Sequence, residues 1–546
     1  MSEEVDKIRV LAIIPARGGS KGIPRKNVRL LGDAPLIGHV IRNCLEAELI
    51  TRIIVSTEDE EIAVVAKRFG AEVLMRPTEL AEDNVPLAPV VYDVAEKLEA
   101  QGEKFDVVAT VQPTSPLIRG ETLDRALALF GKANVDTVLS VYDNTHLNWT
   151  IDENGRCKPL FAERVNRQQL PRILTESGGI IASRRSVITP QERIGDNVEV
   201  IVLEPEEAVD IDTYHDWWLA EKIFNRKRIV FNIIGSKDAG LGHVYRARTL
   251  MHRLTDHEVL VITCENEGLA QEMMRDNHFP VYTYHDSPIE LLGQLKPDIV
   301  VNDILDTDAS LIKEIKSHGW RVVNFEDMGD GVGHADAVIN ALYEAPHPSE
   351  HVYTGCDYYC LREEFHSIKR RKAKEKVDNV LICFGGTDPS GLTIKTVRAL
   401  RSVPATFELS VILGGGFKDD DKLAEELSKL KHTSRIVRDT KVISHYMEQA
   451  DVMVTSAGRT LYEAATVGAP TLVLCQNERE LRHAFASKDR GFINLGLGSE
   501  VSEETLAGEL SKLIEDLQLR RQMQYLMWQW DGREGIEKVI DIIVGK

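Results

Sequence analysis

Short apolar runs alternate with amphipathic stretches along the chain. Residues 8–16 are almost continuously apolar and predict a strand buried on both faces. Within 35–47, Leu36, Ile37, Val40, Ile41 and Leu45 recur at helical spacing. Strands are then predicted at 52–56, 71–75, 105–111 and 137–142, with helices at 59–69, 85–100 and 122–130 between them. That order implies an α/β fold, a doubly wound and mostly parallel sheet with helices on both faces. Residues 144–200 lose the rhythm and predict an excursion that shapes a substrate pocket or a subunit contact. An amphipathic helix at 214–224 closes the unit.

Residues 225–228 are polar, and the alternation restarts at Ile229, with strands predicted at 259–263, 281–284, 299–302, 321–324 and 337–339. The basic stretch 369–374 reads as a solvated linker, followed by strands at 379–384, 409–413, 452–455 and 471–474. Three domains are expected, 1–226, 227–372 and 373–546, the last two forming similar-sized lobes around a ligand cleft.

A length of 546 residues exceeds a single core, while 43% apolar and 28% charged residues are ordinary for a soluble protein. A net charge of −20 argues against general nucleic-acid binding, and leaves nucleotides and sugar phosphates as anions for small basic pockets. The seven cysteines are odd in number and lack C-x-x-C spacing, so free thiols in a reducing cytoplasm are expected, with no disulfide framework or zinc site. Cys356 and Cys360 read as an incidental core pair. The acidic start has no signal-peptide character, and the apolar runs are too short to span a membrane.

The loop at 17–27 carries Gly18, Gly19, Ser20 and Gly22 with four cations, Arg17, Lys21, Arg25 and Lys26. Between a strand and a helix it reads as a phosphate cradle, with backbone N–H groups approaching an anion that the cations neutralise. Walker A is excluded because Gly22 follows Lys21, and G-x-G-x-x-G is absent. Gln112 to Leu117 (QPTSPL) follows a parallel strand, where ligands of such sheets bind or where prolines merely bound a turn. Asp210 and Asp212 (VDIDT) would share one side of an extended strand, about 7 Å apart, and suit a hard cation. Alternatively Asp212 is only the N-cap of the next helix.

In order, ARGGSKGIPRKN, IIVST, RPTEL, QPTSPL, RQQLP and VDIDT resemble the CMP-sialate synthetases, cytidylyltransferases that activate nine-carbon sugar acids, over nearly all of 8–224. The resemblance implies a GT-A-like nucleotidyltransferase fold. It also implies Mg²⁺ and attack by the anomeric hydroxyl of a nonulosonic acid on the CTP α-phosphate. Arg17 and Lys21 match triphosphate contacts, with Lys21 counted as catalytic. Asn27 and Arg76 match nucleotide contacts, Gln112, Arg167 and Gln168 sugar contacts, and Asp210 and Asp212 metal ligands. Two segments depart from the family pattern, 84–89 and Glu176-Ser177-Gly178-Gly179. Both lie where the acceptor is read, so a relative of N-acetylneuraminate is the expected substrate. A homo-oligomer formed through this domain is expected.

A second glycine turn, Gly240-Leu241-Gly242-His243, follows the strand at 229–234, and Tyr245 stands where a dinucleotide fingerprint needs its third glycine. His243 can take a proton from water or a hydroxyl, or simply cap and pack. Farther on, a small-residue turn opens a helix in which Glu463 can accept both ribose hydroxyls or remain a solvated helix residue. GLGHVYR, FGGTDPSGLT and SAGRTLYEAATVGAP resemble the UDP-sugar hydrolase of the pseudaminic acid pathway, a two-lobed GT-B protein, over about 228–546. The resemblance implies that His243 activates water and that Gly240, Gly242, Ser456, Gly458, Thr460 and Glu463 hold UDP. Thr387 and Asp388 would lie at the cleft. Arg459 stands where relatives carry a small residue. The expected protein is a bifunctional enzyme acting on CTP, a nonulosonic acid and a UDP-sugar. The rivals for the second half are a GT-B glycosyltransferase and a non-catalytic nucleotide-sugar-binding module.

Overall fold

A computed structural model describes residues 8–132, 134–236, 240–343 and 350–546. The chain forms two compact units, Met1–Arg226 and Lys227–Lys546.

The first unit is built on a seven-stranded sheet. Its strands are β1 (Val10–Pro15), β2 (Arg52–Thr57), β3 (Glu72–Met75), β4 (Val107–Val111), β5 (Thr137–Asp143), β6 (Leu174–Arg184) and β7 (Val198–Val202), in the order β7-β5-β6-β4-β1-β2-β3. All neighbours are parallel except β6, which runs antiparallel to β4 and β5. Helices cover both faces: one packs Ile37, Val40 and Ile41 on one side, the other packs Val91, Val94 and Leu98 on the opposite side. The irregular region resolves into an antiparallel ribbon, Trp149–Ile151 with Cys157–Pro159, and the long strand β6. Pattern reading misses β6 because Glu176 to Gly179 breaks its apolar run, and its pairing with β5 shifts register there. A further difference lies after the glycine loop. A 3₁₀ turn (Lys26–Val28) and a two-stranded ribbon intervene before the helix Leu36–Glu46, whose first N–H is spent on the carbonyl of Arg29. The loop therefore does not open directly onto a helix N-terminus.

The second unit has two parallel sheets. The first contains β8 (Arg228–Ile233), β9 (Glu258–Cys264), β10 (Val281–Tyr284), β11 (Ile299–Asp303), β12 (Arg321–Phe325), β13 (Ala337–Asn340) and β14 (Val352–Thr354), ordered β10-β9-β8-β11-β12-β13-β14. The second contains β15 (Asn379–Cys383), β16 (Glu408–Leu413), β17 (Thr433–Arg438), β18 (Val452–Thr455), β19 (Thr471–Cys475) and β20 (Phe492–Leu497), ordered β17-β16-β15-β18-β19-β20. The last helix, Gly535–Val544, returns to the first lobe, where Ile536, Val539 and Ile543 pack with Ile229 and Phe231. Arg321 donates to the carbonyls of Ile542 (2.9 Å) and Ile543 (3.2 Å) and caps it. Two parallel α/β lobes with a returning terminal helix are the GT-B arrangement.

The lobes share a core. Tyr359 stacks on Tyr462 (4.0 Å between ring centres), Tyr462 stacks on Phe485 (4.1 Å), and Trp530 meets all three rings edge-on. Such pairs each contribute about 0.5–1.5 kcal/mol beyond the apolar area they bury. The basic stretch is not a freely solvated linker: Arg371 donates to Asp451 (3.2 Å), and the buried Arg520 donates to the carbonyls of Lys374 and Glu375. The seven cysteines are thiols, and no disulfide forms among the described residues.

Candidate functional sites

The first unit holds a cavity of about 380 Å³ lined by Arg17, Lys21, Asn27, Arg76, Gln112 and Asp212, and by Ser20 and Lys26 among others. Its floor is a set of ties between distant segments. Glu58, just beyond β2, accepts from the Gly18 N–H (2.7 Å) and from Arg76 Nε and Nη2 (3.1 and 2.9 Å). Asn27 Nδ2 donates to the Arg17 carbonyl at 2.9 Å, and its Oδ1 is buried with no partner among the described residues. Lys26 Nζ donates to the Ile211 carbonyl (2.5 Å) and to Asp212 (3.0 Å), fastening the loop to VDIDT. A Cβ on Gly22 would lie 2.3 Å from the Asp212 carbonyl oxygen, so only glycine permits this approach. The Ile211 N–H in turn donates to the Thr114 carbonyl, 2.8 Å, bringing QPTSPL alongside.

Arg17 and Lys21 face one carboxylate, Asp83, at 2.8 and 2.5 Å. Lys21, with Arg17, holds the Asp83 carboxyl below the usual carboxylate range. Asp210 Oδ1 is buried without a partner among the described residues, and burial pushes its carboxyl up. The N-cap of the following helix is Thr213, in a reciprocal capping box with Asp216, so Asp212 is not the cap. Gln112 lies against Gly178, whose Cβ would sit 3.3 Å from Gln112 Nε2 and whose φ of +73° suits glycine.

Several expected residues are placed otherwise. The Gly18 N–H is spent on Glu58, and Gly18 and Gly19 do not line the cavity. Arg25 turns away to Asp59 and Glu61. Arg167 and Gln168 lie on an exposed 3₁₀ turn outside the cavity lining.

The second unit has a cavity of about 330 Å³. Gly240, Gly242, His243, Ser456, Gly458, Thr460 and Glu463 all line it. His243 lies in the first turn of the helix Gly242–Arg253, and its Nδ1 is 2.5 Å from Asp303 Oδ1. Asp303 ends β11 and is 1% exposed. Arg246, one helical turn after His243, grips the same carboxylate through Nε (2.7 Å) and Nη2 (2.5 Å), and reaches Glu326 with Nη1 (2.9 Å). Burial opposes ionisation, yet Arg246 and His243 hold the Asp303 carboxyl far below the usual range. An anionic partner on Nδ1 orients the imidazole and leaves Nε2 to accept a proton. Neither Asp303 nor Glu326 was named from sequence. An acidic residue ending each of two apolar strands, IVVND and VVNFE, is the signal that could have found them.

Glu463 is buried and accepts from Arg362 Nε (2.7 Å), so it is not a solvated helix residue. Thr387 lines the cavity, whereas Asp388 caps the next helix through the N–H groups of Leu392 and Thr393. Gly242 packs on Arg459, whose Cδ would lie 3.3 Å from an added Cβ.

The family profile described as cytidylyltransferase matches residues 11–213. CMP-N,N'-diacetyllegionaminic acid synthase of Legionella pneumophila is 35% identical over 224 residues, 40% of this chain and 96% of that protein. The chain belongs to the cytidylyltransferase family. The cytidylyltransferase match lies wholly within the first unit, and the chain has relatives of another kind as well. Spore coat polysaccharide biosynthesis protein SpsG of Bacillus subtilis is 28% identical over 303 residues, 52% of this chain and 88% of that protein. MurG from Acinetobacter baumannii superposes with a TM-score of 0.48 at 16% identity, over 59% of this chain and 100% of that one. The chain spans about half the length of two other relatives, MJ1062 of Methanocaldococcus jannaschii (54%) and N-acylneuraminate cytidylyltransferase A of Danio rerio (50%). Among the described residues, no helix is long and apolar enough to cross a membrane, and no cluster of three or more His, Cys, Asp or Glu is poised for a metal.

Proposed function

We propose that the chain carries two enzymatic sites of one biosynthetic route. The first transfers CMP from CTP to a nonulosonic acid with release of pyrophosphate. The second releases UDP from a UDP-linked diacetamido-trideoxyhexose by hydrolysis.

The observation that carries the first reading is the pairing of Arg17 and Lys21 with a single carboxylate, Asp83. Two cations balanced by one exchangeable anion make a place that a triphosphate can take. Asn27 and Arg76 would face the nucleotide, and Gln112, beside the 176–179 segment, the sugar acid. Asp210 and Asp212 would hold Mg²⁺: Asp210, behind the cavity lining, offers a buried oxygen, and Asp212, which also takes a bond from Lys26, a largely exposed carboxylate on the cavity wall. When bound, the cation would neutralise triphosphate oxygens. The residues themselves position the anomeric hydroxyl against the α-phosphate and stabilise the charge on departing pyrophosphate. The name of the Legionella relative supports a legionaminic-type acid as substrate. The exposed Trp149, Ile151 and Leu160 around the ribbon support self-association through this unit.

In the second site His243, held by Asp303, would take a proton from water attacking the sugar anomeric carbon, while UDP departs against Ser456, Gly458 and Thr460. A glycosyltransferase is the second reading, since the same pair can deprotonate an acceptor hydroxyl. It is supported by the likeness to a protein named for polysaccharide synthesis.

Both halves are tested with the full chain. CTP and a panel of nonulosonic acids should give pyrophosphate and one CMP-sugar, and Asp212→Ala should abolish it at ordinary Mg²⁺ concentrations. Absence of product with every acid sinks the first reading. UDP that appears only when a sugar acceptor is supplied replaces hydrolase by transferase.

A further inference from the structure

Two buried polar atoms in the second cavity have no partner among the described residues. One is Glu326 Oε2, on a side chain 3% exposed, and the other is Arg459 Nη1. Both residues line the cavity that contains His243. One is an acceptor supplied by the first lobe, the other a donor supplied by the second.

Each is held rigidly. Glu326 follows β12 with φ +51°, a left-handed conformation unfavourable for a non-glycine residue. Its N–H donates to the Ile339 carbonyl (3.0 Å), its carbonyl accepts from Arg479 Nη2 (2.7 Å), and Oε1 accepts from Arg246. Arg459 lies over the Tyr359 ring, 4.8 Å from its centre, and spends Nη2 on the Cys360 carbonyl (3.1 Å). The Arg246 guanidinium bridges Glu326 to Asp303 and so places it beside the reacting histidine. Burial raises the Glu326 carboxyl against the pull of Arg246 and Arg459.

We infer that Glu326 and Arg459 form a two-lobed clamp on the sugar moiety of the bound nucleotide sugar. The clamp takes a neutral group that both donates and accepts a hydrogen bond, a hydroxyl or an amide. A phosphate is disfavoured because it carries no donor for Glu326 and is repelled by a carboxylate. This assignment rests on the reading of the cavity as a nucleotide-sugar site. It makes Glu326 a specificity residue.

The test is calorimetric binding to the full chain of UDP, UDP-glucose and UDP-N-acetylglucosamine, for the wild type, Glu326→Gln and Arg459→Lys. Gln preserves size and can still accept from Arg246, and thermal unfolding checks the fold. UDP should bind the wild type and Glu326→Gln within twofold of each other. The sugar nucleotides should bind Glu326→Gln at least tenfold more weakly, and Arg459→Lys should fall between. A loss confined to UDP-N-acetylglucosamine identifies an amide contact, and an equal loss with UDP-glucose identifies a hydroxyl. Equal effects on UDP and its sugar conjugates, or no effect on either, overturn the clamp alone. Failure of UDP to bind the wild type overturns the nucleotide-sugar reading and the clamp with it.

Discussion

Replacing Asp303 by Asn separates a positioning role from a purely structural one. The side chain keeps its shape and loses its charge. His243 Nδ1, 2.5 Å from the carboxylate, then faces a neutral amide in place of the anion that orients the ring. General acid–base catalysis contributes about 10²–10⁴-fold, so UDP release should fall by that factor, roughly 3–5 kcal/mol of barrier. Stability also falls, because Arg246 donates to both carboxylate oxygens (2.7 and 2.5 Å) and the amide offers one acceptor only: one charge-assisted bond becomes neutral and the other is lost, while Glu326 is kept. Weakening one charge-assisted bond costs about 1 kcal/mol and losing the other about 1.5–3, giving about 2.5–4 kcal/mol and roughly 5–16 °C in Tm. The assay is UDP release under saturating substrate, with UDP affinity and CMP-sugar formation measured on the same preparation. A variant that binds UDP normally, remains folded at the assay temperature and turns over within tenfold of the wild type refutes the dyad.

Asp83→Asn removes the anion that competes with triphosphate for Arg17 and Lys21. Exposed ion pairs are worth about 0–1 kcal/mol each, so the KM for CTP should fall roughly two- to tenfold, read by pyrophosphate release. Gly22→Ala drives a methyl into the Asp212 carbonyl, 2.3 Å away; overpacking of this kind costs about 1–3 kcal/mol, and CMP-sugar formation should drop at least tenfold with UDP release unchanged. Burial holds His483 below the ordinary histidine value, so it is neutral in the fold, whereas the unfolded chain takes up a proton near roughly pH 6.5. Its contribution is therefore complete above that pH and is lost as pH falls toward the folded value. His483→Gln should flatten the decline of Tm between pH 7 and 5.

The strands and helices that follow strict periods were legible from sequence, including β1, β2, β4 and the runs that became β8, β11 and β15. What was not legible depended on residues that break period for a reason. β6 carries polar and glycine residues beside Gln112, so its pattern is interrupted where the cavity needs it. The glycine loop marked the first site correctly as a place, but Gly18 is there to admit Asp59, 2.4 Å from an added Cβ, and its N–H serves Glu58. Glu58, Asp83, Asp303 and Glu326 escaped notice because each is a single carboxylate in an otherwise ordinary stretch. Their meaning comes from cations 18 to 80 positions away in sequence, at Arg76, Lys21 and Arg246.

The returning helix Gly535–Val544 has a mechanical consequence. The chain passes between the lobes twice, once between β14 and β15 and once before Gly535, and Arg371 and Arg520 anchor the first passage to the second lobe. Any displacement of one lobe against the other has to keep Tyr359 stacked on Tyr462 and the terminal helix on its Arg321 cap, or break both. The lobes are thus pinned to each other at two places, which keeps His243 and Glu326 of one and Arg459 and Glu463 of the other around the same cavity.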